Sequence, residues 1–198
     1  IFEDETFEIA VSGNDVDLDD VISFSASVDS NASASVDGTA LTVVPDLNYS
    51  GSIQVTVTAT DIAGETGQAS FTLSVLAVND APVVDAIDDQ ETDEDQAFEI
   101  ALSASDVDGD DLSFSASVDG NALVSVDGTT LSVVPDLNYS GDIAVTVVVS
   151  DGEYSDSDTF VLTVNNLNDA PTVNPIANET IFEDETFEIA VSGNDVDL

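Results

Sequence analysis

The chain of 198 residues carries 42 Asp plus Glu and no Lys, Arg, His or Cys, for a formal charge of -42. Such a surface repels phosphate and anionic lipid, which excludes nucleic acid and direct membrane insertion. It also leaves no side-chain ion pairs, no disulfides and no thiolate metal sites; hard cations on oxygen ligands remain.

A charge of this size with few aromatics is the usual mark of a disordered segment. Here, though, hydrophobic residues make up 42% and include nine Phe and three Tyr set in alternation. The chain is therefore expected to fold, with countercharge supplied from outside.

Period-two runs predict strands in chain order. They are Phe7, Ile9 and Val11; Ile22, Phe24, Ala26 and Val28; Leu41 and Val43; Ile53, Val55, Val57 and Ala59; and Phe71, Leu73, Val75 and Ala77. The turn signals SGND, DGT, PDLNYSG, DIAGETG and NDAP separate them. The same series then begins again: Phe7, Phe98 and Phe187 are each followed by Glu-Ile-Ala, about 90 residues apart. Residues 181–198 repeat residues 1–18 letter for letter, while the two units between them differ, so the true period is a block of two units.

No helical periodicity, apolar run of membrane length or leader segment is apparent. The expected fold is all-β: tandem seven-stranded Greek-key β-sandwiches with a partial third repeat. Pro82 and Pro171 in the NDAP segments place boundaries that give residues 1–80, 81–169 and 170–198. The last piece is too short to fold alone. Tyr49 and Tyr139 stand where sandwiches pin a corner with a tyrosine hydroxyl, and are read as packing residues. Asn31, Asn48, Asn138 and Asn178 open glycosylation triplets, which are common in Ser- and Thr-rich chains.

Acidic residues concentrate between strands, at Glu3 to Glu5, Asn14 to Asp20, Thr92 to Gln96 and Ser105 to Asp111. In the last loop Asp106, Asp108, Asp110 and Asp111 surround Gly109, a supply of oxygen ligands on a sharp turn suited to calcium. It is not an EF-hand, since the spacing and the flanking helices are missing. Spacing alone fits a calcium loop and a set of solvated turn acids equally well.

The combination SDVDGDDLSFSAS, VPDLNYSG, VTVVVSDG and LNDAP, which covers essentially the whole chain, resembles the cadherin-like tandem repeats of giant bacterial surface adhesins. That resemblance implies cadherin-like or Ig-like sandwiches with calcium at the junctions between repeats. Carried over, the ligands of the first junction would be Glu3, Asp46, Asn79, Asp80, Asp106, Asp108 and Asp151. Those of the second would be Glu94, Asp136, Asn168, Asp169, Asp195 and Asp197. The animal linker, Asp-x-Asn-Asp-Asn-Ala-Pro, differs: Ala77 and Asn166 stand at its first Asp, and Asn48 and Asn138 at a second acid. The resemblance therefore does not imply three ions per junction.

Without His, Lys, Arg or Cys, only carboxylates could move protons near neutrality, and they recur in every repeat as a structural site would; no enzyme is expected. The leading expectation is an extracellular, calcium-stiffened spacer at the cell surface, a stalk of an adhesin or filament whose partners are its own neighbouring repeats. A filament or sheath subunit joined to other copies by strand donation is the alternative. A loop-based sugar or protein recognition module is a third, with Tyr154 nearly alone to support it.

Overall fold

The computed structural model describes residues 1–16 and 21–197, so Asp17, Asp19 and Asp20 of the first acidic loop lie outside the described residues. The chain divides into two compact units, Ile1–Asn79 and Asp80–Leu198. Among the described residues all regular structure is strand.

In the first unit, β1 (Phe7–Ala10), β4 (Ala40–Pro45) and β3 (Ala32–Asp37) form one antiparallel sheet in the order β1-β4-β3. The other sheet has the order β2-β5-β6, from β2 (Ser23–Val28), β5 (Gly51–Thr60) and β6 (Thr66–Val75). Phe2 adds a parallel bridge to Leu76 beside β6. Alternation sends Leu41 and Val43 of one sheet against Ile53, Val55, Leu73 and Val75 of the other, which makes this pair of sheets a sandwich with a dry interior.

The second unit repeats this plan and extends it. It runs through β7 (Val83–Val84), β8 (Gln90–Asp93), β9 (Phe98–Ala101) and β10 (Ala104–Ser105), then β11 (Ser113–Val118), β12 (Ala122–Asp127), β13 (Thr130–Pro135), β14 (Gly141–Ser150) and β15 (Ser155–Asn165). Its sheets are β12-β13-β9 and β11-β14-β15-β8, with β7 paired to β10. β8 lies parallel to β15, from Leu162 opposite Gln90 to Asn165 opposite Asp93. The core gathers Leu131, Val133, Ile143, Val145, Val147, Val149, Phe160 and Leu162, and Val84 and Leu102 close it from the side. In residues 170–197, β16 (Thr172–Val173) pairs with β17 (Gly193–Asn194), and nearly all side chains there are exposed.

Two strand sets were not anticipated by the hydrophobic pattern. The inward residues of β3 are Ala32, Ala34 and Val36, too small to stand out among serines, while β7 is only two valines long and β8 is short and acidic. The corners follow expectation. Tyr49 Oη donates to the Ser52 carbonyl at 3.2 Å and Tyr139 Oη to the Asp142 carbonyl at 3.0 Å. Each ring lies over a glycine held at positive φ, Gly51 at +145° and Gly141 at +137°, and a Cβ on Gly51 would lie 2.7 Å from the Tyr49 hydroxyl.

Candidate metal centre

The acidic loop after β10 is organised around one carboxylate. Asp106 Oδ1 accepts hydrogen bonds from the amides of Asp108 at 2.8 Å, Gly109 at 3.1 Å and Asp110 at 3.5 Å, and Gly109 turns the chain at φ +77°. The turn brings an oxygen from each of Asp106, Asp108 and Asp110 within 4.8 Å of the others. Asp106 Oδ2 is buried and has no hydrogen-bond partner among the described residues. A carboxylate oxygen shut off from both water and donors is costly, and three carboxylates this close repel each other. A hard cation taking several oxygen ligands removes both costs, so the residues present fit calcium.

The other expected ligands fall in the linkers, hairpins and turns of each unit. Asp80 donates its amide to Asp108 Oδ2 at 2.7 Å, which ties the NDAP segment to the loop. Asp151 Oδ1 accepts from the amides of Glu153 and Tyr154, both at 2.7 Å, and closes the β14–β15 hairpin. In the first unit, Glu3 is 6% exposed and accepts from the Val78 amide; Asn79 is half-buried. Of the neighbouring acids, Asp4 takes the Asn48 amide at 2.9 Å and Glu5 takes the Phe2 amide, so Glu3 alone of the three faces the linker.

The second boundary has the same plan. Glu94, 4% exposed, accepts from the Leu167 amide at 2.5 Å, and the Asp169 amide donates to Asp197 Oδ2 at 2.5 Å. Asp195 accepts from the Asp197 amide at 3.1 Å, as Asp106 does from Asp108. Asn168 Nδ2 donates to the Asp169 carbonyl at 2.8 Å.

Asp46 and Asp136 have exposed side chains and open their turns through the backbone, each carbonyl accepting from the following Tyr49 or Tyr139 amide. Two contributors were absent from the expected ligand sets. Asp110 was visible in the loop but has no place in the animal pattern. Asn166, whose Nδ2 donates to Asp197 Oδ1 at 3.2 Å, occupies the linker position at which that pattern has an Asp.

No curated protein matches the chain. Solved structures that resemble it include human Protocadherin-24 EC1-2, 13% identical with a TM-score of 0.48 over 80% of this chain and 88% of that one. The Protocadherin gammaB7 EC3-6 cis-dimer structure is 18% identical with a TM-score of 0.45 over 99% and 62%. An endo-fucoidan hydrolase of glycoside hydrolase family 107 is 16% identical with a TM-score of 0.34, and the chain spans 27% of its length. These likenesses are too distant to carry an assignment. The bacterial Ig domain profile, in contrast, matches residues 1–74 and again residues 79–165, one match in each unit, and the chain belongs to the bacterial Ig domain family.

Proposed function

We propose that this tandem Ig-like module is an extracellular structural spacer, a stalk segment of a surface adhesin or filament stiffened by calcium at the repeat boundaries. The observation that carries this reading is the burial of Glu3 and Glu94. They stand at the same position of successive repeats and are the buried charged residues among those described, in a chain with no Lys, Arg or His to neutralise them. A buried carboxylate answered only by a backbone amide is costly to desolvate, and a cation from solution would offset that cost.

Asp106, Asp108 and Asp110 would hold one ion, with Asp80 tied to Asp108 through its amide, and Glu3, Asp46, Asn79 and Asp151 are the further ligands that the resemblance implies. Glu94, Asp169, Asp195 and Asp197 form the matching set of the next boundary, with Asp136 and Asn168 as its outer members. Bound ions would cancel charge and tie the linker to the loops, so that each repeat adds roughly 40 Å of stiff length. The partners in this reading are neighbouring repeats, and no catalytic role is assigned.

The test is thermal unfolding of the chain at fixed high sodium chloride while calcium is titrated from chelator to millimolar. A rise in midpoint of about 10–20 °C is expected, from about 2.7 kcal/mol at a hundredfold excess over Kd, with magnesium giving much less. Identical midpoints in chelator and calcium would show that salt screening suffices and would remove every ligand named above.

A further inference from the structure

The outer faces of the two units differ in charge. In the first unit, alternation along β2, β5 and β6 sends Ala26, Val55 and Phe71 inward, and every outward position of these strands from Ser23 to Ser74 is Ser, Thr or Gln. Cross-strand rows run through Ser27, Thr56 and Ser70 and through Ser25, Thr58 and Gln68. Carboxylates stand at the rim: Asp29 is turned to the amides of Ser30 and Gln54, both at 3.0 Å, and Asp61 to that of Glu65 at 2.8 Å. Acids are disfavoured in strands, but that does not account for the neutral face. In the same unit β1 carries Glu8 and β3 Asp37, and in β14 of the second unit Asp142 and Val148 stand at the positions of Ser52 and Thr58.

The polar groups of this face are held from strand to strand. Thr56 Oγ1 and Ser70 Oγ share a hydrogen bond at 2.9 Å, Gln68 Nε2 donates to Thr58 Oγ1 at 3.1 Å, and Gln54 Nε2 donates to the Phe71 carbonyl at 3.2 Å. Side chains ordered in this way lose little entropy when a partner is laid on them. A hydroxyl has one donor and two acceptor sites, so these bonds leave capacity for that partner.

We infer that this face is the contact through which two copies of the chain associate side by side. Neutrality of a face matters only to an occupant that is itself strongly charged. A neutral glycan is not repelled by carboxylates, and the aromatic residues of these strands, Phe24 and Phe71, alternate inward, away from a sugar. A cationic partner finds stronger attraction at the acidic loops. An unrelated polyanion needs cations to hold it, and the chain has no Lys, Arg or His. The same face of a second copy needs none, because two molecules of formal charge -42 can meet there with their carboxylates held apart. Both partners present the same rows, so the contact is isologous and closes as a dimer. Two strands of ten residues beside one of six offer roughly 400 Å² per copy, which places the contact among the small, weak interfaces.

The test is sedimentation equilibrium of the full chain up to millimolar concentration, in high sodium chloride with calcium present, where long-range repulsion is screened. A monomer–dimer equilibrium is expected, half-complete at about 1 mM. T58D sets a carboxylate in the middle of the face and should weaken dimerisation by about tenfold. V148D adds the same charge at the matching position of the second unit and should leave dimerisation unchanged. Q68E, exposed and isosteric with the parent, should act as T58D does and keeps the comparison open where T58D disturbs the sheet; unfolding midpoints check that each variant is folded. A chain that stays monomeric, or equal effects of the charge at Thr58, Gln68 and Val148, overturns the inference. So does a dimer that chelator dissociates while the chain stays folded, since ions bridging carboxylates would then hold it. The contact itself involves no calcium ligand, so its failure leaves the spacer reading standing.

Discussion

The two repeats share strand order, corner tyrosines and core positions, yet only the second is packed to its rim. Phe160 is 1% exposed and Val147 and Val149 are fully buried, whereas the matching Phe71 and Val57 are half-buried and Ala59 stands in place of Val149. In the second repeat residues 82–93 lie over this face and are held by carboxylates, whereas in the first the face is a groove lined by Ile9, Val11, Val57, Ala69 and Phe71. Asp156 Oδ2 accepts from the Val84 amide at 3.0 Å and Asp158 Oδ2 from the Ile87 amide at 2.7 Å, while Asp89 Oδ1 accepts from the Val161 amide at 2.8 Å. Gly67 and Ala69 occupy the places of Asp156 and Asp158 in the first repeat. In a protein without cationic side chains, acids still serve as structural groups, provided that backbone amides meet them.

Breaking the core should expose this difference most strongly. Phe160→Ala removes a fully enclosed ring that contacts Phe98 at a centroid distance of 6.3 Å, and should cost about 3–5 kcal/mol in the unfolding of the second repeat. Phe71→Ala, whose ring meets Phe7 at 5.9 Å beside the open groove, should cost about half as much because part of the ring is already in water. Denaturant melts of the two variants compare them directly, and equal costs would mean that the groove does not loosen the first repeat.

Next in size is the boundary charge, where the repeats should behave alike. Glu94→Gln keeps an oxygen to accept from the Leu167 amide but removes a buried negative charge. With calcium saturating, the variant should lose about 2–3 kcal/mol, the worth of one occupied site. In chelator the sign should reverse or vanish, since the uncompensated charge is gone. Glu3→Gln should do the same in the first repeat. A loss of the same size in chelator would mean that the glutamate acts only as a hydrogen-bond acceptor.

Asp158→Ala gives the second repeat the residue of the first at this position. Losing a partly buried, charge-assisted acceptor for the Ile87 amide should cost about 1–2 kcal/mol. Hydrogen exchange should quicken at Ile87 and Val84 before it changes in β13. Unchanged protection there would show that apolar packing alone holds the segment.

Much of this was legible in the sequence. Period-two runs located the strands whose inward residues are large, and the repeat of Phe-Glu-Ile-Ala gave the tandem plan. The pattern failed at β3, where Ala32 and Ala34 carry too little apolar contrast, and at β8, where Gln90, Glu91, Thr92 and Asp93 join a sheet through parallel backbone pairing that no hydrophobic alternation announces. The acidic loop was readable as oxygen-rich, but not which oxygens turn inward. That Glu3 faces the linker while Asp4 reaches the distant Asn48 amide and Glu5 closes its own turn depends on backbone direction: Asp4 sits at φ +59° and Asp95 at φ +60°, which points the adjacent carboxylates apart.

The smallest effect sharpens the comparison from the side of what the repeats share. Tyr49→Phe and Tyr139→Phe each delete one hydroxyl that donates to a carbonyl three residues on, leaving the ring in place over its glycine. The cost should be about 1 kcal/mol in each repeat, because the corner lies away from the groove that separates them. If Tyr49→Phe proved much less costly than Tyr139→Phe, the looseness of the first repeat would extend beyond its uncovered face to the turn. The carboxylate staples would then be supporting the whole sandwich of the second repeat, and not merely its leading segment.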